Sequence, residues 1–578
     1  MCIPRGLVFW FGAHQLTEHD LMKAFEAMRT TFRHGLPVSW SRTEFSKFKT
    51  RMSGGMRYFP TSMELRRLYH EGERWTLDQW LQATKGRKAW DPRDLVYGGM
   101  ALIQKSTLRI DPSLQLNETE ELGIVQNSHQ AVGLEAIKLW PEIRVDYTAS
   151  VPMVLTNLAA CLLSQPGNRA MRLLSIASRA RDEYEMDMYW DPLTETQHGP
   201  LPSWVPNPGN DASLAAESFF SQGGSYFKAC VERPNCARIS ADGSILYLQA
   251  AKLGTIKGPN WNGATKLWSI NDRRSDRTHH FYNPSIISRI GTSVGLAGFS
   301  SPSAAIGSTL PQGFLQFFLD LPAVNDSHGK TFESVSRVLT GGIARISHEG
   351  EALTVAANEE HPELPLMAPR ALRTGLCGLL TSYIQKLEKD KDSMAKQAKS
   401  KDEVEKFVRD EKEAFEKLKV KYPNENWQRE GVERTPAEQR DEQDFAKAQA
   451  LAMWGRSVQM AAGDEGDYLL LAPAWVAEGD VVMLVKGSYV PYVFAQCELS
   501  VTRCVENLEA AREVLSRDEK LWENIGFKRV EAIVERAKES LATKTGCWML
   551  AGEAYVEGVM HGELTHMSDD RFETIQVV

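Results

Sequence analysis

Apolar residues follow two spacings along this chain, and each predicts its own kind of element. The run Leu7-Val8-Phe9-Trp10-Phe11 reads as a buried strand, too short and too weakly preceded by charge for a signal peptide. Thr17-Glu18-His19-Asp20 then supplies an N-cap with acidic residues in the first turn, and Leu21, Ala24, Phe25, Met28 and Phe32 mark the apolar stripe of a helix. Residues 37–60 are polar and basic, a loop by composition. Two short helices follow, Ser62–Tyr69 and Thr76–Thr84; the second opens on the capping box Thr76-Leu77-Asp78-Gln79 and buries Leu77, Trp80 and Leu81. It runs into the turn Asp91–Gly99, where Pro92 biases Asp91 away from helix. In that turn Leu95-Val96-Tyr97 are fit to bury, while Arg93 and Asp94 are fit to tie it to backbone or to a carboxylate. After a polar excursion, Ser150 caps a helix with Pro152 in its first turn, burying Val154, Leu155, Leu158, Ala159 and Leu162. Met171–Ile176 reads as a strand, and Leu201–Pro206 as an extended segment pinned by two prolines.

Further on, an Asp242-Gly243 turn before Ile245–Leu248 is a hairpin signal. Residues 257–370 resist a reading by periodicity. The run Gly291–Gly298 lacks both the Gly-Lys-Ser/Thr ending of a P-loop and the G-x-G-x-x-G spacing, so it reads as a loop. From Lys386 to Lys419, Lys/Arg alternate with Asp/Glu, with few apolar residues beyond Val404, Phe407, Val408, Phe415 and Leu418. That pattern predicts an exposed helical insertion without a coiled-coil seam, followed by a tail holding Pro423 and Pro436. Strand patterns return at Gly466–Pro473, Glu478–Val485, Val490–Phe494 and Trp548–Glu563. A helical insertion at about 502–545, striped by Val530, Ile533, Val534, Ala537 and Leu541, interrupts them.

Composition narrows the function classes. A chain of 578 residues, 42% hydrophobic, has room for roughly two to four domains. Its net charge of −8 gives no global basic field for nucleic acid, and the interleaved carboxylates of 386–419 cancel the lysines there. Eight cysteines stand far apart, none in C-x-x-C, which predicts reduced thiols in a cytoplasmic protein with no disulfide framework or zinc finger. No run reaches the length of a membrane span. Fifteen tryptophans show no fixed period, so no repeat architecture emerges. His14, His19 and His34 lack a carboxylate or cysteine at ligand spacing and read as surface or capping groups. Glu553, Glu557, His561 and Glu563 form the most enzyme-like cluster, but the alternation and glycines around them favour strand and turn, where these side chains diverge. With no H-E-x-x-H, G-x-S-x-G, kinase set or Cys-His signature, neither a metal nor a cofactor is predicted, and catalytic residues stay unassigned.

The order Asp91-Pro92-Arg93-Asp94 with Tyr97-Gly98, then Asp146-Tyr147 before a Ser-initiated helix, then Leu201-Pro202-Ser203-Trp204-Val205-Pro206, resembles the second half of the heterokaryon incompatibility (HET) domain of filamentous fungi. The 241–256 segment resembles the hairpin that often follows the domain. Gly552-Glu553-Ala554-Tyr555-Val556 and Gly558-Val559-Met560-His561-Gly562-Glu563 resemble a closing module common in such proteins. The resemblance takes Asp91, Pro92, Arg93, Asp94, Tyr97, Asp146, Tyr147, Pro202, Ser203, Trp204, Gly552, Glu553, Tyr555, Gly558, Gly562 and Glu563 as structural family positions and transfers no catalytic residue. It implies an α+β chain: a partial, TIR-like α/β unit over 1–210, a mixed region over 211–370, a charged helical insertion or linker over 371–454, and a β-rich module over 455–578. It implies fungal nonself recognition and programmed cell death, exerted on an unidentified protein partner without nucleic acid. The alternative is a TIR-like NAD hydrolase whose N-terminal catalytic half is expected to be missing from this chain. The family's opening motifs have no counterpart before Leu7–Gly12, so the chain is expected to begin mid-domain, with sheet edges exposed and fragment 1–210 poorly soluble.

Overall fold

The computed structural model describes, in the main, residues 8–11, 14–17, 74–84, 91–111, 142–177, 201–206, 227–257, 330–356, 367–423, 456–498 and 546–578. The fold is α+β, with helices packed on a mixed sheet. The helices expected over 21–32 and 62–69, the loop 37–60, the run Gly291–Gly298 and the helical insertion 502–545 lie outside the described residues.

Near the N-terminus β1 (Val8–Phe11) pairs antiparallel with β2 (His14–Thr17). Thr17 ends β2 opposite Val8, and the helix it was expected to cap lies outside the described residues. Helix α1 (Leu77–Thr84) starts as the capping box requires: the Thr76 amide donates to Gln79 Oε1 at 2.9 Å. Leu77 and Leu81 are buried. The short helix α2 (Asp94–Tyr97) follows, its Leu95, Val96 and Tyr97 all buried. Trp80 stitches the two together by donating its indole N–H to the Leu95 carbonyl at 2.8 Å. A Cβ on Gly99 would lie 2.2 Å from that indole, so only glycine allows the turn to pass so close.

Helix α3 (Val151–Leu163) carries the expected cap, Ser150 Oγ accepting from the Met153 amide at 3.3 Å, with Pro152 in the first turn. The stretch Met171–Ile176 is not a strand. It is the end of a 3-10 turn (Gly167–Met171) followed by α4 (Arg172–Ala177). A short apolar run reads alike for a strand and a buried helix, and here Leu173, Leu174 and Ala177 bury as a helix face while Arg172 pairs with Asp78 of α1. The segment at Leu201–Pro206 is likewise not simply extended: the Val205 amide closes a turn onto the Pro202 carbonyl at 3.0 Å.

The main sheet holds nine strands in the described residues. Strand β3 (Arg238–Ile239) turns through Asp242-Gly243 into β4 (Leu246–Lys257); Gly243 has φ +70°, and Asp242 accepts from Ser240, the Ser244 amide and the Ser244 hydroxyl. The other strands are β7 (Arg456–Gly463), β8 (Gly466–Pro473), β9 (Val481–Val485), β10 (Tyr492–Gln496), β11 (Trp548–Glu553), β12 (Tyr555–Val556) and β13 (Glu573–Val577). A separate hairpin is formed by β5 (Ile343–His348) and β6 (Glu351–Ala356). Long β4 is the hub: it pairs with β13 at one end, β9 in the middle and β7 at the other end. Since β13 also joins β11, β11 joins β10, and β10 joins β9, these strands and β4 close a ring. The sheet therefore draws β4, from the mixed region read in sequence, into the C-terminal module.

Alternation sorts the sheet's side chains to two faces. Val481, Met483, Val485, Tyr492 and Phe494 join the large core shared with α3 and α4. Val482, Leu484 and Val493 fill a second cluster with Ala229, Val476 and Phe572. Strand pairing ends at Val556, short of the Glu563 expected; turns rich in positive-φ glycine take over from Gly558.

The charged stretch departs most from expectation. Helix α5 (Lys330–Leu339) is followed by α6 (Met367–Gln397) and α7 (Lys401–Lys421). Far from being solvated all round, α7 buries Val404, Val408, Glu411, Phe415 and Leu418, with Tyr422 just beyond. Their intervals alternate between four and three residues, which makes a seam facing Leu380, Tyr383, Ile384 and Leu387 of α6. The helices run antiparallel, as the pairs Lys391–Glu405 and Lys412–Glu388 require. Glu411, sitting inside the seam beside Tyr383, disguises the repeat in the sequence. No helix among the described residues is long and apolar enough to cross a membrane.

Candidate functional site

Two segments some fifty residues apart in sequence meet at the Asp91 turn. The turn is closed by the Asp94 amide on the Asp91 carbonyl at 2.9 Å, and Asp91 Oδ1 accepts from the Arg93 amide at 2.9 Å. The same carboxylate grips the Arg93 guanidinium in a fork, Nε to Oδ1 at 2.9 Å and Nη2 to Oδ2 at 2.7 Å. Fixed this way, Arg93 Nη1 donates to the carbonyls of Tyr147 at 2.6 Å and Ala149 at 2.7 Å. The Tyr97 hydroxyl donates to the Asp146 carbonyl at 2.9 Å, and the Tyr147 hydroxyl donates to Asp94 Oδ1 at 2.5 Å. The Tyr97 and Tyr147 rings meet edge to face with centroids 5.2 Å apart, and Arg93 stands 5.4 Å from the Tyr147 centroid. Asp146 in turn accepts from the Thr148 hydroxyl and amide, which shapes the lead into the Ser150 cap.

The electrostatics follow. Asp91 holds the Arg93 guanidinium in its charged form. The Thr148 donors keep Asp146 below its ordinary 3.8. The bond to Asp94 raises the Tyr147 phenol above 10.0, and burial does the same for Tyr97. Arg93, Tyr97, Asp146 and Tyr147 are thus each held in the protonation state they already have near neutrality. Chemically, the arrangement positions the lead into α3 and spends its donors on backbone carbonyls and on the carboxylates of Asp91, Asp94 and Asp146.

The remaining motif positions fall elsewhere. The Pro202 carbonyl closes a turn; Ser203 donates its amide to the Val578 carbonyl at 2.9 Å, its hydroxyl bonds the same oxygen, and it accepts from the Leu550 amide at 2.9 Å. Trp204 is fully buried, its indole N–H without a hydrogen-bond partner. Gly552 pairs with Val493 at an irregularity in the β10–β11 ladder. Beside it Glu553 is buried against Arg456 at 2.8 Å, both side chains 3% exposed. Tyr555 donates to Glu557 Oε2 at 2.9 Å and packs edge-on against Phe227. Arg337 of α5 binds Glu557 Oε1 through Nε at 2.7 Å and also pairs with Glu333. Glu563 accepts from the His561 amide at 2.7 Å, in the turns that hold Gly558 and Gly562.

The structure thus brings Asp91, Arg93, Asp94, Tyr97, Asp146 and Tyr147 into one clasp and joins Ser203 to strand β11. It sends Glu553, Glu557 and Glu563 to three different partners, and no group of three His, Cys, Asp or Glu is placed to hold a metal ion among the described residues. Sequence reasoning missed Arg456, Arg337, Ser175 and Tyr492. None stands in a local pattern; only their distant partners give them meaning. No family model, curated protein or solved structure matches the chain.

Proposed function

We propose that this chain is a HET-like protein that acts through protein contacts in nonself recognition and cell death. One observation carries the reading: Arg93 and Tyr97 grip the backbone of 146–149, so residues that carry the sequence resemblance are mutual contacts across fifty positions. Their polar groups are consumed in holding the lead into α3 against the Asp91 turn, which favours an architectural role for the motif over a reacting one. Inducible expression of the full chain in a filamentous fungus tests the reading. Growth arrest with loss of viability is expected, weakened by Arg93→Ala at equal protein level. Unchanged growth at high expression counts against it. Incubating the purified chain with NAD addresses the non-enzymatic part, and nicotinamide release above a heat-treated control would overturn that part.

A further inference from the structure

Strands β10 and β11 run antiparallel with Gln496 opposite Trp548. One step past that pair, where β10 gives way to a helical turn at Cys497, the Cys497 amide donates to the Cys547 carbonyl at 3.1 Å. Antiparallel residues that face each other across such a bond hold their Cα atoms about 5.5 Å apart. A disulfide spans roughly 4.4–6.8 Å between Cα atoms. Both residues are thiols, both are buried, and they share one small apolar cluster with Val578. The pair lies where the chain leaves β10 and where it returns to β11. The next residues outward, Glu498 and Gly546, are exposed and joined by a hydrogen bond of 3.2 Å from the Gly546 amide to the Glu498 carboxylate.

We propose that Cys497 and Cys547 are a redox-reversible dithiol, a modification site that closes to a disulfide across β10 and β11 in response to hydrogen peroxide. Cys547, 5% exposed against 0% for Cys497 and next to exposed Gly546, meets the oxidant first. Its sulfur attacks one peroxide oxygen, the O–O bond breaks, and the departing hydroxide takes the thiol proton and leaves as water. Cys547 is then a sulfenic acid. The Cys497 sulfur attacks that sulfur, the S–O bond breaks, and the hydroxyl leaves as a second water with the Cys497 proton. Two thiols and one peroxide thus yield one disulfide and two waters, two electrons passing from sulfur to oxygen. A small thiol reverses the step by exchange. The cross-link pins together the two ends of the stretch 498–546 at the rim of the strand ring.

The test uses the full-length chain. It is treated with hydrogen peroxide under native conditions, alkylated in denaturant, and digested without reductant. A peptide joining Cys497 to Cys547 is expected, with two of the eight alkylation sites lost and restored by dithiothreitol. The oxidised form should also melt at a higher temperature. Cys547→Ser should abolish the link, and Cys497→Ser should leave a sulfenic acid at Cys547 that dimedone captures. The proposal is overturned if both cysteines remain fully alkylated after oxidation, or if the linked peptides join other cysteines instead. The wild-type map decides the matter even where a variant does not fold.

Discussion

The hydroxyls of Ser175 and Tyr492 meet at 3.0 Å in the buried core, 317 residues apart in sequence. Tyr492 gives its one proton to the Met171 carbonyl at 3.1 Å, so Ser175 is the donor to Tyr492. These two bonds fasten α4 to β10. Tyr492→Phe orphans both partners and should cost about 1–3 kcal/mol. Urea unfolding measures the loss, and Ser175→Ala should add little in the Phe background. Fully additive losses would place the effect somewhere other than this bond.

Arg93 works as a fork, with one edge on Asp91 and one nitrogen on two carbonyls. Lysine keeps the charge and cannot make both sets of bonds. Arg93→Lys should therefore destabilise by roughly 2–3 kcal/mol, close to the effect of Arg93→Ala. Chemical denaturation of the two variants decides it; a lysine variant of wild-type stability would mean that charge alone suffices.

Arg456 and Glu553 form a desolvated pair joining β7 to the end of β11. Removing one partner strands a buried charge, so Arg456→Ala should cost about 3–5 kcal/mol. The double change Arg456→Met with Glu553→Leu should recover most of that loss. Thermal unfolding of the set is the measurement, and a double variant as weak as the single one would contradict the account.

The clasp should have a pH window. Asp146 sits below its ordinary 3.8, so its contribution is complete above that value and disappears as pH falls through the lower folded one. Asp569, held down by Lys486 and Arg233, acts in the same direction. Tyr147 and Tyr97 sit above 10.0, so theirs is complete below that value and disappears as pH rises through the higher folded ones. The contribution of these groups should be flat between these limits. Asp94→Asn, which removes the carboxylate from Tyr147, should bring part of the tyrosinate absorbance to lower pH; an unmoved titration would contradict the Tyr147–Asp94 bond.

What the sequence reveals here is what neighbours decide among themselves. Gln79 reaching back to Thr76, Ser150 capping α3 ahead of Pro152, and Asp242-Gly243 turning β3 into β4 are each settled within a few residues, and each is legible. Strands β8 and β9 announce themselves by composition. Met171–Ile176 is a different case, because an apolar run of that length takes its form from whatever covers it, here Tyr492. The α7 seam hides behind Glu411 and a dense screen of surface charge. That β4 closes a ring with strands more than two hundred residues downstream leaves no local trace, since any apolar strand offers the same backbone donors. In the clasp, the spacing marked Arg93, Asp94 and Tyr97 as a unit; only the fold reveals that they hold Asp146–Ala149.

Ser203 bonds Val578 and Leu550, partners 375 and 347 positions away. A ribosome delivers Ser203 long before either strand exists, so the helices around α3 wait half-covered while the rest of the chain is made. Contacts of such long range also come late in folding, after costly loop closure. The assembly of this protein is therefore timed by its last strands. A fragment ending near residue 210 should be trapped in that waiting state, sticky through the face α4 and Trp204 would have given to the sheet.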